Sequence, residues 1–348
     1  MNRLSELRDL ATRSVRENAV VLGLIAIYIG ICLALAAHFD FALKMKPWFN
    51  LWLFGVFYFL LAAGRVLWLF ASERPESPLR LLAELPCRWR LGERFIIGAP
   101  LLAAAAVFLP VFSSMKTAIP AMAPYTWDPL FARMDAWLHG GQAWELMQPL
   151  IGYPIASFVI NVLYHLWLPA FYMTLCAVAV WVERPQLRRR FLIAFVLCWA
   201  LVGNLAATLL ASVGPCFYDF FYGEDPYAGL MGYLHQADQV YPLAALKVQD
   251  SLLAWWREGS PELGRGISAM PSVHVAIACL LMLLSWKVGR IAGWAGTLFL
   301  VAIFVGSIHL GYHYAIDGYA SLILTPLIWW ASGPLANLRI SGRARDPA

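Results

Sequence analysis

The sequence predicts an all-α fold, a polytopic membrane helical bundle of about eight transmembrane helices. Three observations carry that expectation. Of the 348 residues, 61% are hydrophobic and 14% are charged, and the mean hydropathy is positive, a balance far from that of soluble domains. The apolar residues fall into runs close to the ~20 residues a helix needs to cross a bilayer. Between alternate runs Arg and Lys gather in clusters, the mark of cytoplasmic loops. The net charge of +5 is spread over these clusters and forms no single patch, which argues against nucleic acid as a partner.

The first span, about 19–38, follows Arg3, Arg8, Arg13 and Arg16. Its apolar run exceeds that of a signal peptide and reads as a retained helix, although Ala34-Leu35-Ala36 has the form of a cleavage site. The second, about 48–71, carries Arg65 near its cytoplasmic end, where the side chain can extend to the interface. A loop with Arg74, Arg80, Arg88, Arg90 and Arg94 leads to the third, about 95–114. In the connection 115–154, Leu130, Phe131, Met134, Trp137 and Leu138 recur three or four apart, with Arg133 and Asp135 off that face. This predicts an interfacial helix that either shields the helix ends or recruits substrate. The fourth span, about 155–182, sets Asn161 and His165 four apart beside Tyr164; Arg184 and Arg188 to Arg190 follow it. The fifth, about 191–212, has a stripe of Asn204, Thr208 and Ser212. Each polar set serves hydrogen bonding between helices or lines a headgroup pocket.

Loop 213–270 contains a second amphipathic stretch, Leu243 to Trp256, and three acids, Asp219, Glu224 and Asp225, that read as solvated. Spans six and seven, about 271–286 and 291–311, form a hairpin over the basic turn Trp286-Lys287-Val288-Gly289-Arg290. An eighth, about 315–333, closes the series, and a short disordered tail is expected from Ser332. With Lys287, Arg290, Arg339, Arg343 and Arg345 included, the basic clusters share one side with the N-terminus. Both termini are therefore expected in the cytoplasm, and the other face is expected to open to a periplasm or lumen, as for a multi-pass protein of the cell (inner) membrane. The six cysteines have neither a disulfide pattern nor metal-site spacing.

The hairpin brings two histidines to the same side, His274 in Met270-Pro271-Ser272-Val273-His274 and His313 in Gly311-Tyr312-His313-Tyr314-Ala315-Ile316-Asp317. Two imidazoles facing one point can act as nucleophile and proton donor. If a helix continues through 313–317, Asp317 reaches His313 and fixes its tautomer. Each motif alone also fits a helix-packing hydrogen bond; their combination at one face, where ionisable groups are costly, favours chemistry.

Ser268 to His274 and Gly311 to Asp317 resemble the second and third motifs of the type 2 phosphatidic acid phosphatase superfamily. The His-Tyr-x-x-Asp form is closest to the branch that includes inositol phosphorylceramide synthase. The resemblance covers residues 95–333, a six-helix phosphatase-like core, with 1–94 as a two-span extension and loop and 334–348 as a basic cytoplasmic tail. It implies that His313 attacks phosphorus and becomes a phosphohistidine, that Asp317 orients it, that His274 protonates the leaving oxygen and that Ser272 binds the phosphate. It implies a membrane lipid as partner, whether phospholipid, lipid phosphate or ceramide-type acceptor, and neither metal nor cofactor.

The sequence also departs from the family. The first motif of the phosphatases, Lys then six residues then Arg-Pro, is absent, and Gly306 and Ser307 stand where the third motif begins Ser-Arg. The replacement phosphate ligands are expected among Arg265, Lys247, Arg257, His309 and Tyr218, with Asn161, Tyr164 and His165 lining the headgroup pocket. Two rival readings stand beside this one: His309, His313 and Asp317, four apart on one helical face, as metal or haem ligands of a membrane redox or transport protein, or a non-catalytic lipid carrier.

Overall fold

In the computed structural model, which describes residues 3–258 and 266–338, those residues form helices and loops without a strand. The helix α1 (Arg3–Phe39) starts well before the expected span, because its basic first turns continue the same helix. There follow α2 (Trp48–Glu73), α3 (Pro78–Arg88) and α4 (Leu91–Thr117). Short helices α5 (Ile119–Met122), α6 (Asp128–His139) and α7 (Ala143–Ile151) occupy the next connection.

The expected fourth span is two helices, α8 (Pro154–His165) and α9 (Trp167–Ala179). Pro169 explains the break, since it has no N–H for the carbonyl of His165 and its ring crowds that carbonyl. The fifth is α10 (Pro185–Leu197), a π-helical segment Cys198–Ala206 and α11 (Ala207–Leu209). The loop after it carries α12 (Tyr218–Tyr222), α13 (Ala228–Val240) and α14 (Ala244–Glu258). Last come α15 (Val273–Val288), α16 (Arg290–His309) and α17 (Ala315–Asn337). The tail expected from Ser332 is helical as far as Asn337, with Ser332 and Ala336 buried; its remainder, 339–348, lies outside the described residues.

Among the described residues, six helices are long and apolar enough to cross a membrane: α1, α2, α4, α8 with α9, α10 through α11, and α16. The other two expected spans correspond to α15, which has 16 residues, and α17, which has 23 but carries a polar stripe. Protein encloses the middle of α15, whereas α17 packs one face inward and leaves Ile323, Leu327 and Trp330 exposed. Val275 to Leu280 of α15 are all buried, and α17 aims Ser321 at the Ser272 carbonyl (2.8 Å) and Thr325 toward that of Ala276 (3.4 Å). A helix walled by neighbours satisfies polar side chains and needs less apolar surface than one facing lipid.

The basic clusters meet at one end of the bundle. Arg13 pairs with Glu17 and Glu93, Arg88 with Glu73, and Arg94 with Glu183, while Arg184 donates to the Lys287 carbonyl at 2.7 Å. Arg188, expected as a loop charge, is fully buried there and donates to the carbonyls of Ala179 and Ile97 and to Asn18 Oδ1. It ties α1 and α4 to α10, with Glu17 Oε2 3.7 Å away. Helix α1 is thus packed into the bundle, where Tyr28 also donates to Asn204 in the π-helical segment.

Candidate active site

His274 lies in the first turn of α15 and His313 in the loop between α16 and α17, at the end of the bundle opposite the basic clusters. Their rings are 6.2 Å apart, centre to centre, and inclined by 60°. The helix expected to run through 313–317 is interrupted: α16 ends at His309 and α17 starts at Ala315. The pair forms all the same, with His313 Nδ1 3.1 Å from Asp317 Oδ2. Asp317 sits at the third position of α17, where its Oδ2 also accepts the Tyr314 N–H at 3.1 Å. A carboxylate at a helix N-terminus is stabilised by those free N–H groups. Asp317 is fully buried, and His313 is 5% exposed.

Burial pushes the His313 imidazole down to about 3, with the charge of Lys116 acting the same way and a hydrogen bond to the Ala269 backbone opposing. His313 is therefore neutral at physiological pH. With Nδ1–H directed at Asp317, Nε2 keeps its lone pair.

The surrounding loops are fixed by a residue to which the sequence pattern gives no role. Asp128, the first residue of α6, is fully buried and accepts the N–H groups of Val213 (2.9 Å) and Gly214 (2.8 Å) and the hydroxyls of Tyr222 (3.0 Å) and Tyr314 (2.8 Å). Gly214 has φ +89, and a Cβ there would collide with the Tyr312 carbonyl, so this turn beside His313 requires glycine. Ser212 holds the approach to His274, its carbonyl accepting from Ala269 N–H and its Oγ from Met270 N–H, both at 2.9 Å. Asp135, two turns further along the same face of α6, accepts the Ile316 N–H at 3.1 Å and so caps α17 as well. Burial raises its carboxyl, with that N–H opposing.

The expected interfacial face of α6 needs one correction. Leu130, Met134, Trp137 and Leu138 do face outward, whereas Phe131 turns inward with the two acids and packs near Tyr314. The acidic side of this helix is its buried side, because the loops it faces supply N–H and O–H donors.

Both histidines open into a cavity of about 410 Å³. Its wall is mostly apolar, with Leu109 and Phe112 from α4, Trp167 and Phe171 from α9, and Trp199 from the π-helical segment, and Val248 and Leu252 of α14 close it from above. Trp167 packs on His274 at 4.2 Å and donates to its carbonyl at 3.0 Å. Tyr164 stacks between His274 (5.0 Å) and Tyr312 (5.4 Å), with its buried hydroxyl unpartnered. His165 also lines the cavity and donates through Nδ1 to the Asn161 carbonyl at 2.7 Å.

Other expected ligands are elsewhere. Asn161 is outside the cavity wall and caps α14, its Oδ1 accepting the Ala245 N–H at 3.0 Å. His309 is turned into a buried chain, Nε2 at 2.8 Å from Ser157 Oγ, which meets Tyr233 at 2.6 Å. Tyr218 packs against Tyr222 and Tyr227 in a separate cluster. Ser272 Oγ serves the start of α15, accepting the Val275 N–H at 3.4 Å. Arg265 lies outside the described residues. Lys247 is exposed on α14, and Arg257 lies over the Phe220 ring.

Among the described residues, the cation that does line the cavity is Lys116, in the last turn of α4. Its signal in the sequence is a lysine just past an apolar run in a face poor in basic residues. The metal-ligand reading loses its premise, since His309, His313 and Asp317 do not share one helix. Among the described residues no three His, Cys, Asp or Glu are grouped to hold a metal ion.

Compared with curated proteins and with solved structures, the chain matches none significantly. A family model described as the PAP2 superfamily matches residues 129–331, the segment from α6 to α17 that carries both histidines and Asp317. The helical membrane architecture and this match over more than half of its length agree: the chain belongs to the PAP2 superfamily.

Proposed function

We propose that this multi-pass membrane protein is a lipid phosphotransferase or phosphatase that works through a phosphohistidine at the non-cytoplasmic face. The observation that carries the reading is a pair of imidazoles 6.2 Å apart at the head of a largely apolar cavity within a membrane bundle. His313 is the nucleophile: Nε2 attacks phosphorus, the bond from phosphorus to the leaving oxygen breaks, and His274 gives that oxygen its proton. Asp317 holds Nδ1–H and offsets the charge that develops on the ring. In the second half His274 takes the proton of the incoming hydroxyl, whose oxygen displaces Nε2 from phosphorus. The apolar wall suits the chains of a lipid, and Tyr164 and His165 face its headgroup.

Water and an alcohol both complete the cycle. The missing phosphatase-type Lys and Arg motif and the His313-Tyr314-x-x-Asp317 form favour the alcohol, that is headgroup transfer in the manner of the inositol phosphorylceramide synthase branch. Arg and Lys clusters at the other end of the bundle support a cytoplasmic position for that end and both termini, at the inner membrane. The test supplies the purified protein in lipid with a panel of phospholipids and lipid phosphates, with and without ceramide or diacylglycerol. A new phospholipid that forms only with an acceptor and only when His313 is present is the expected result, and release of inorganic phosphate would assign hydrolysis. Turnover unchanged in His313→Ala, or lost in EDTA and restored by a divalent metal, would overturn the reading.

A further inference from the structure

Lys116 is the one cation among the described residues that lines the cavity with His274 and His313. It comes from α4, outside the matched residues 129–331. No carboxylate among the described residues pairs with it. The backbone at Gly266 lies directly on it: a Cβ there would approach the Lys116 carbonyl carbon to 2.7 Å and its Cγ to 2.8 Å. The lysine stem is thus clasped between α4 and the segment leading to His274, and its ammonium acts electrostatically on both imidazoles. An ammonium kept without a counter-ion near membrane depth is costly unless an anion visits it.

We propose that Lys116 is the phosphoryl-binding residue of this site, a cation delivered by the helix that precedes the matched segment. The inference rests on His313 being the nucleophile. Attack on phosphorus spreads negative charge over the non-bridging oxygens, and an ammonium fixed in the same low-dielectric cavity stabilises that charge most in the transition state. A lysine serves as a point charge, so it needs no planar pairing with the phosphate, unlike arginine. The close approach at Gly266 sets its position.

Orthovanadate binding, read by the fluorescence of the cavity tryptophans Trp167 and Trp199, separates the two claims. Native protein should bind vanadate, and His313→Ala should lose binding; failure there overturns the phosphohistidine reading itself. Lys116→Met should weaken vanadate binding about 100-fold and lower kcat by a similar factor, with a melting temperature equal to or above that of the native protein, since an unpaired half-buried charge is removed. Lys116→Arg should recover part of the binding, because charge is kept. Native-like affinity in Lys116→Met, or loss in Arg265→Gln with Lys116→Met unaffected, would overturn the assignment.

Discussion

Replacing Asp317 by Asn keeps the shape of the side chain and the bond from Tyr314 N–H, yet removes the charge that faces His313 Nδ1. Turnover should fall by about 100-fold or more, with little change in substrate affinity. His309→Gln should behave differently, with kcat within about threefold of native, because His309 is bound to Ser157 away from the cavity. A loss comparable to that of His313→Ala would revive a role for His309 in the chemistry. Acid sensitivity follows from His313, whose folded value of about 3 lies below its ordinary 6.5. Between those values the unfolded chain binds the extra proton, so stability is retained above about pH 6.5 and is lost as pH falls, by up to about 1.4 kcal/mol per unit. Thermal melts from neutral to mildly acidic pH should therefore fall less steeply in His313→Asn than in the native protein; equal slopes would contradict a buried neutral imidazole.

At the scale of elements, α6 and α14 act on the site without contributing a reacting group. Removing the Asp128 carboxylate strands two N–H groups and the Tyr314 hydroxyl, while Tyr222 keeps the Tyr125 carbonyl, so Asp128→Ala should destabilise the fold by about 3–5 kcal/mol, measurable by denaturation in detergent. Asn161→Ala should free the start of α14 and loosen the cover that Val248 and Leu252 give the cavity, raising amide exchange in 244–258 while α15 and α16 stay protected. These roles explain what the sequence revealed and what it withheld. The spacing of Leu130, Phe131, Met134, Trp137 and Leu138 marks the outward face of α6 except at Phe131, but periodicity is blind to donors brought from remote loops, so it gives neither Asp128 nor Asp135 a partner. Asn161 and His165 share one side of α8 by their four-residue spacing, yet Asn161 caps α14 while His165 lines the cavity.

Across the whole molecule, the hydropathy of the chain was enough to find the helical membrane bundle, and the basic clusters enough to group its ends. It also placed the expected spans at about 271–286 and 315–333 on α15 and α17, although α15 is short and α17 polar-striped. The two motifs were legible because their residues are close in sequence to the hairpin that aligns them. Lys116 was not, because its meeting with His274 depends on how α4 packs, which no local spacing encodes. Asn18 and Tyr28 bind α1 to Arg188 of α10 and to Asn204, and a chain starting at residue 95 should accordingly be less stable than the full chain in the same detergent. The central claim concerns covalent chemistry at one atom. A donor lipid labelled at phosphorus, mixed with protein and quenched within a turnover, should leave label on His313 in a bond stable to alkali and labile to acid, and leave none on His313→Ala. Turnover without any trapped label, or label that persists in His313→Ala, would contradict it.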